Sequence, residues 1–365
     1  GYAGKLDEDM LVSHGSYARN IVASLNRKAD TYSKAILELP CTKPVIDRAI
    51  GIISHSSFNL NLAREFYPEG WKAPYRIIPQ MVKTKKKNNR ELSQKSKKAL
   101  GFKSDDFILA SFGSVAELKC VDKVLDAFIN SDLSAQKNCY LIFVGELSQD
   151  DFGVSLKRQI KNSGLKHRVK VTGYVDERHY DQYLRASDLS IQLRINSRGG
   201  SPKGVLDCLA VGLPVIINNS DSYKDYPDEV VCKVSAVPSV VEVKSAIEGL
   251  FGSKTRRGKL SQCGYTYVNE FHSPQELAAE YAATIHAFVG RHNANNPNAF
   301  AKSISPHIAV SRGSETLVEI ITENCEAQAL ISFKQKRLLI DCTHINEVDN
   351  KSGIHRTVRE TVKES

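Results

Sequence analysis

Several features that would assign this chain to a common functional class are missing from it. No CxxC spacing occurs among the eight cysteines, which lie scattered in or beside apolar segments, so we predict reduced core thiols rather than disulfides or a zinc site. No run of about 18 apolar residues predicts a transmembrane helix. The one Asp-x-Asp pair, Asp7 with Asp9, is interpreted as a solvated acidic turn, and no metal is expected.

The net charge of +9 is concentrated in one short segment. Residues 83–98 hold eight Lys or Arg and one Glu, so the rest of the chain carries only +2. Aromatic side chains that would stack on bases are absent from this segment, and nucleic acid is therefore not expected as a partner. We interpret the segment as an exposed connector and a first surface helix. Peripheral contact with an anionic membrane stays open, because clustered lysines bind such surfaces.

Apolar runs alternate with helical patterns from Phe107 onward. Strands are predicted at 107–112, 139–144, 169–172, 189–193 and 213–217, with helices at 121–128, 154–162, 180–186 and 202–211. Strands separated by helices of this length form a parallel, doubly wound sheet, whose ligands bind beyond the carboxyl ends of the strands. The predicted fold class is therefore α/β.

Glycines follow the predicted strands, at Gly113, Gly145, Gly173 and the pair Gly199 and Gly200. The GxGxxG motif of ordinary dinucleotide folds is absent from these loops. A glycine pair alone would more often serve a tight turn, but this pair precedes a helix start between two strands. Unpaired N–H groups and the helix dipole favour an anion there. The residues of this predicted phosphate site are Arg198, Gly199, Gly200, Ser201 as N-cap, and Lys203.

Four segments carry a resemblance to a known family. They are SFGSVAELKCVDKVLDAF, YLIFVGE, VKVTGYVDERHYDQYLRASDLSIQL and SRGGSPKGVLDCLAVGLPVI, in this order. Together they resemble the carboxyl-terminal domain of family-four retaining glycosyltransferases, above all those of bacterial O-antigen and capsule synthesis. The resemblance implies a GT-B type fold with a Rossmann-like nucleotide-sugar domain and partial flanking domains.

The resemblance also implies roles for individual residues. Gly113 and Lys119 fall on the family's glycine and its phosphate-binding basic residue, while Ser114 stands where an arginine often follows the glycine. Tyr174 and Val175 fall where the family flanks the nucleobase.

Two family glutamates are replaced in this chain. Asp207 falls on the glutamate that binds the ribose hydroxyls, and an aspartate can still accept those hydrogen bonds. Gly199 falls on the glutamate that contacts the donor sugar. Lys203 either replaces part of the positive clamp or is a solvated surface lysine.

The chain is expected to be a piece of a tandem transferase, because it begins with Gly1 and its ends resemble parts of further GT-B units. The segment AIGIISH is predicted to pair as a strand with YRIIPQM, and Ser54 and His55 lie at its end. His55 is a catalytic candidate. The simpler explanation of the pattern is that Ser54 or Ser56 caps the following helix. The expected divisions are an acceptor-side remnant at 1–80, the nucleotide-sugar domain at 81–290 with a crossover helix at 269–288, a linker at 291–330 and a second GT-B unit from 331 to 365.

These features predict a retaining hexosyltransferase with GDP-mannose as one donor to consider. It would extend a surface polysaccharide of the O-antigen or lipopolysaccharide kind. Its partners would be a nucleotide sugar and a glycan or lipid-linked glycan acceptor, in the cytoplasm or on the inner face of the membrane, without a cofactor. Two alternatives stay open: a catalytically silent scaffold that binds nucleotide or glycan, favoured by Gly199, and a GT-B sugar-nucleotide epimerase.

Overall fold

The computed structural model describes residues 2–24, 35, 39–195, 200 and 203–294. Its residues divide into two compact units. The first holds the described residues up to Pro44 together with Ile53–Trp71 and Arg76–Ala279, and the second holds Val45–Ile52, Lys72–Tyr75 and the described residues from Glu280 onward.

The amino-terminal segment holds four helices and two short strands among its described residues. Its elements are α1 (Tyr2–His14), α2 (Ser16–Ser24), α3 (Lys43–Arg48), β1 (Ile52–Ser54), α4 (Ser57–Phe66) and β2 (Tyr75–Ile77). The predicted pairing of the two short strands is confirmed, since β1 and β2 form a two-stranded sheet. The prediction of an acidic turn at Asp7 and Asp9 is wrong: both lie within α1, whose Met10 is buried in a small apolar cluster that favours a continuous helix.

The βα series begins with a helix at Arg90 and follows the predicted order. Its elements are α5 (Arg90–Ala99), β3 (Phe107–Phe112), α6 (Val121–Ile129), α7 (Asp132–Ala135), β4 (Cys139–Val144), α8 (Asp151–Asn162), β5 (Val169–Val171), α9 (Glu177–Ala186), β6 (Leu189–Gln192), α10 (Lys203–Ala210), β7 (Val215–Asn218), β8 (Cys232–Val234), α11 (Val240–Phe251), α12 (Lys254–Phe271) and α13 (Pro274–Ala294). The strand predictions for 107–112 and 139–144 are confirmed to the residue.

Six parallel strands form one sheet in the order β5-β4-β3-β6-β7-β8. β3 pairs with β4 from Phe107 opposite Cys139 to Phe112 opposite Val144. Alternate residues of β3 enter different cores, Leu109 on one face and Ile108 on the other. Each face is covered by helices, so the sheet is doubly wound and the predicted α/β fold class is confirmed.

The basic segment 83–98 is less exposed than the sequence analysis predicted. Lys97, in α5, is only 4% exposed. Its Nζ lies 2.9 Å from Asp188 Oδ2 and donates to the carbonyl of Asp106 at 2.6 Å. Asp188 also accepts from the backbone N–H of Ile108 at 2.9 Å. Lys97 therefore fastens α5 to the amino-terminal edge of the sheet, because a buried ammonium needs a paired carboxylate.

Candidate functional site

The strand order reverses between β3 and β6. From β3 the chain continues to β4 on one side, and from β6 it continues to β7 on the other. The connections therefore leave a crevice outside the carboxyl ends of β3 and β6, which is where open α/β sheets bind their ligands. The loops after these two strands and the start of α10 line that edge.

The loops after β3 and β4 touch through their backbones. Gly145 approaches Gly113 so closely that a Cβ on Gly145 would lie 1.9 Å from the Gly113 carbonyl oxygen. Val115 donates to the carbonyl of Glu146 at 2.8 Å and accepts from the N–H of Ser148 at 3.0 Å. Only glycine fits at 145, and the loop that carries Gly113 is held in one position.

Lys119 ends a short 3-10 turn, Glu117–Lys119, that follows this loop. Its Nζ is 3.9 Å from the place that a Cβ on Gly113 would occupy. The backbone N–H of Ile195, after β6, donates to the carbonyl of Leu118 at 2.9 Å and so joins this turn to the neighbouring loop. Burial, reinforced by the positive charge of Arg194, lowers the pKa of Lys119 to about 8. The turn thus presents a desolvated cation beside the crevice.

Arg194 is a second cation here, and it was not among the predicted site residues. Its backbone N–H donates to Asn218 Oδ1 at 2.9 Å, and its carbonyl accepts from Asn218 Nδ2 at 2.7 Å. Its guanidinium Nη1 donates to the carbonyl of Gly200 at 3.1 Å. The available signal was its position, since an arginine directly follows the buried strand LSIQL at the point where the sheet order reverses.

The start of α10 lies against the ends of both central strands. A Cβ on Gly204 would be 3.2 Å from the side-chain amide of Gln192 and 3.5 Å from the carbonyl of Phe112. The Gln192 amide in turn contacts both backbone groups of Phe112, at 2.7 Å and 3.1 Å. This close packing places the first turn of α10 over the crevice, where its N–H groups face an incoming anion.

Lys203 and Asp207 form an ion pair on α10. Lys203 Nζ lies 3.4 Å from Asp207 Oδ1, and Asp207 Oδ2 accepts from the hydroxyl of Tyr180 at 3.1 Å. The Asp207 side chain is 6% exposed and that of Lys203 is 17% exposed. Lys203 is therefore not the solvated surface lysine that one of the two interpretations described. Asp207, the residue predicted to bind the ribose, is therefore held in place by contacts from both α9 and α10.

The predicted nucleobase residues differ in their surroundings. Tyr174 is 54% exposed, whereas Val175 packs against the core on the α10 face of the sheet. Both follow β5, which lies two strands from β3 and so about 10 Å across the sheet. The structure thus brings Gly113, Lys119 and Gly200 to one region, with Arg194 added, and places Tyr174 at the outer end of the same edge.

Three predicted phosphate-site residues, Arg198, Gly199 and Ser201, lie outside the described residues, as do the predicted linker beyond 294 and the unit from 331 to 365. His55 is described: it follows β1, is exposed, and its Nδ1 donates to the carbonyl of Ile78 at 3.0 Å. Ser56 caps α4 through the N–H of Asn59, as the simpler interpretation of this segment predicted.

The cysteines that the structure describes are free thiols. Cys120, Cys139, Cys208 and Cys232 are buried, and Cys41 and Cys263 are partly buried. Burial raises the pKa of Cys208 to about 12, which makes it an inert core residue. Among the described residues, no group of three or more His, Cys, Asp or Glu is arranged to hold a metal ion.

A comparison with protein families shows which family model the region around this site matches. Residues 93–265 match the family model described as "Glycosyl transferases group 1". This region is a glycosyltransferase group 1 domain. It contains every element from β3 to β8, and therefore both loops that meet at the reversal of strand order. No curated protein sequence matches the chain.

Solved structures that contain similar domains share the fold. Anabaena Alr3699/HepE in complex with UDP and glucose is 16% identical, with a TM-score of 0.58 over 77% of this chain and 76% of that chain. Sucrose-phosphate synthase from Thermosynechococcus elongatus is 15% identical, with a TM-score of 0.57 over 76% and 67%. WaaG, a glycosyltransferase involved in lipopolysaccharide biosynthesis, is 14% identical, with a TM-score of 0.57 over 73% and 72%. The group 1 domain therefore has the GT-B type architecture that the sequence predicted.

None of the described helices combines the length and apolar character needed to cross a membrane.

Proposed function

We propose that the chain is a retaining glycosyltransferase that moves a hexose from a nucleoside-diphosphate sugar to a growing surface polysaccharide. The observation that carries the proposal is the placement of Lys119 and the start of α10 at the reversal of strand order, within a glycosyltransferase group 1 domain. Transfer of a glycosyl group develops negative charge on the departing diphosphate. A fixed ammonium and helix N–H groups stabilise that charge more in the transition state than in the ground state.

Each finer part of the proposal has its own support. Retention and a mannose donor rest on the sequence resemblance, while the UDP and glucose bound to Alr3699/HepE make UDP-glucose an equal first test. A role in lipopolysaccharide synthesis is supported by the likeness to WaaG, and the O-antigen kind of acceptor rests on the sequence resemblance. Tyr174 and Val175 are proposed for the base and Asp207 for the ribose. No metal is needed in this scheme, because the charge is met by Lys119, Lys203 and backbone N–H groups.

The domain divisions and the tandem organisation also stand as proposals. The nucleotide-sugar domain at 81–290 is supported by the family match inside it. The acceptor side would come from 1–80 and from sequence beyond this chain. His55 is the proposed residue of that side nearest the chemistry, supported by its exposure at the end of β1.

Calorimetry with UDP, GDP, ADP and their hexose conjugates tests the donor site directly. Selective micromolar binding of one base is expected. Lys119→Ala should weaken that binding about 5- to 150-fold, the range of a charge-assisted hydrogen bond. Lys157→Ala, an exposed lysine on α8, is the matched control and should bind as the unaltered chain does. Equal affinity in all three proteins would remove Lys119 from the site.

The silent scaffold is the second candidate function, and Gly199 is the observation that favours it. An active enzyme should slowly hydrolyse or transfer its donor, and the first-formed free sugar should keep the anomeric configuration of the donor when followed by NMR. A scaffold should bind the nucleotide with no release of sugar. Repeating both measurements on a chain extended at its amino terminus guards against loss of activity through a missing acceptor side.

We also propose peripheral contact with the inner face of the cytoplasmic membrane, through fewer of the positive charges of residues 83–98 than the sequence suggested. Lys97 and Lys85 are engaged by Asp188 and Asp181, and Lys87 binds Gln262. The remaining cations of 83–98 supply about 1 kcal/mol each near an anionic surface. Vesicles that contain anionic lipid should retain the protein at low salt, and failure to do so would end this part of the proposal.

A further inference from the structure

Lys203 shares its charge with Asp207, so the crevice needs further cations beside Lys119 to hold a diphosphate, and the loop after β6 offers one. The position after Gly113, where the family resemblance expects an arginine, is Ser114, so the loop after β3 supplies Lys119 alone. Arg194 approaches from the other central strand, β6. The hydrogen bond from Ile195 to Leu118 joins the two backbones one residue away from each of these cations.

The main chain of Arg194 is fixed independently of its side chain. Asn218 is fully buried, and its amide holds both backbone groups of Arg194 as well as the carbonyl of Ala236, at 2.8 Å. The guanidinium extends from this anchored point to Gly200, in the loop that leads into α10. A planar guanidinium has five donors, and the contact with Gly200 uses one of them, so donors are left for a phosphate.

The charge around this pair is unbalanced. Within the described part of the chain, Lys119 and Arg194 belong to none of the ion pairs with a carboxylate. The hydrogen bond between Ile195 and Leu118 brings the two residues to neighbouring positions, and the charge of Arg194 adds to burial in lowering the pKa of Lys119. Two like charges held together without a carboxylate favour a dianionic ligand between them.

We infer that Arg194 is a further diphosphate-binding cation of the donor site and, with Lys119, clamps the departing nucleoside diphosphate from the β6 side. The inference rests on the proposed function. The two cations of this clamp, Lys119 and Arg194, follow two different strands, β3 and β6, whereas the family resemblance expects two cations in the loop after β3.

Binding of nucleosides and nucleoside diphosphates to Arg194 variants tests the inference. Arg194→Gln should weaken UDP, GDP and inorganic pyrophosphate about 10- to 100-fold and leave uridine and guanosine unchanged, since the guanidinium addresses the phosphates alone. Arg194→Lys keeps the positive charge but not the planar set of guanidinium donors, so it should lose less diphosphate affinity than Arg194→Gln. Arg158→Gln, an exposed arginine on α8, is the matched control.

Proton uptake tests whether the bound diphosphate lies against Lys119 and whether Arg194 acts on the same group. At pH 8 the apo Lys119 ammonium is about half ionised, given a pKa of about 8, and the bound diphosphate should complete its protonation. Calorimetry in buffers of different ionisation enthalpy should therefore show uptake of about half a proton with UDP or GDP and none with the nucleoside. Arg194→Gln should reduce that uptake, because removal of the neighbouring charge raises the pKa of Lys119 in the apo protein.

The outcomes are distinguishable. Weaker diphosphate binding together with reduced proton uptake supports the inference. Unchanged diphosphate affinity in Arg194→Gln overturns it and leaves the proposed function in place. Equal loss for nucleosides and diphosphates also overturns it, since Arg194 would then only support the fold of the crevice. Absence of any nucleotide binding by the unaltered chain overturns both.

Discussion

Replacement of Lys97 by methionine is predicted to destabilise the group 1 domain by about 2–3 kcal/mol. Methionine keeps the length and apolar stem of the side chain but leaves Asp188 without its cation. Breaking a buried ion pair typically costs 3–5 kcal/mol, and we lower that figure because the Asp188 side chain is 28% exposed and keeps the N–H of Ile108 as a donor.

The pH dependence of the loss follows from the direction of the Asp188 shift. Burial raises the pKa of this carboxyl even with Lys97 beside it, and removal of Lys97 should raise it further. A carboxyl group whose pKa is raised in the folded protein destabilises that protein most when the pH is above this pKa, and the destabilisation decreases as the group takes up a proton. The difference between variant and unaltered protein should therefore shrink as the pH falls from 7 toward 4.

Urea unfolding followed by circular dichroism at pH 7 and pH 4.5 measures both effects. Lys98→Met is the matched control, because Lys98 is the next residue on the same helix and is exposed. Its cost should stay within about 0.5 kcal/mol at both pH values. If Lys97→Met were no more costly than Lys98→Met, the ion pair would contribute nothing measurable and the reasoning would be refuted.

Three further predictions concern the close contact at Gly145, the support of Asp207 and the buried His272. Gly145→Val should cost about 1–3 kcal/mol in thermal unfolding, since its Cβ would meet the facing carbonyl at 1.9 Å, while Gly258→Ala, where nothing lies within 4 Å, should be neutral or stabilising. Tyr180→Phe should lose about 1 kcal/mol and weaken nucleoside binding if Asp207 holds the ribose; unchanged nucleoside affinity would argue against that role. Burial lowers the pKa of His272, so stability should fall as the pH drops below about 6.5, and His272→Gln should flatten that dependence in acid titrations.

The sheet was predictable because β3 and β4 are largely apolar runs that are each followed directly by a glycine. β3 and β4 were predicted to the residue for this reason. The crossover helix predicted at 269–288 is divided in the structure, because α12 ends at Phe271 and α13 begins at Pro274, where the dipeptide Ser273–Pro274 marks a helix start. Local signals of this kind depend on neighbours in the chain, and a single sequence displays them fully.

The missed features depend on partners far away in the chain. The backbone of Arg194 is held in place by Asn218, which lies 24 residues later in the chain, and no periodicity in the sequence marks that contact. Lys97 looked like one of many surface lysines because Asp188, its partner, is 91 residues away. Lys203 was left open between two interpretations for a related reason: the pairing with Asp207 was visible as a spacing of four, but the burial that strengthens it comes from α9.

The Lys97–Asp188 pair lies at one edge of the sheet and the crevice at the other, and this separation bears on how the domain can diverge. Residues that fasten the strands at their amino ends are not those that meet a ligand at their carboxyl ends. Substitutions at the crevice can therefore accumulate without removing the contacts that hold the sheet. Such a domain can exchange one sugar donor for another, or lose catalysis altogether, while it continues to fold.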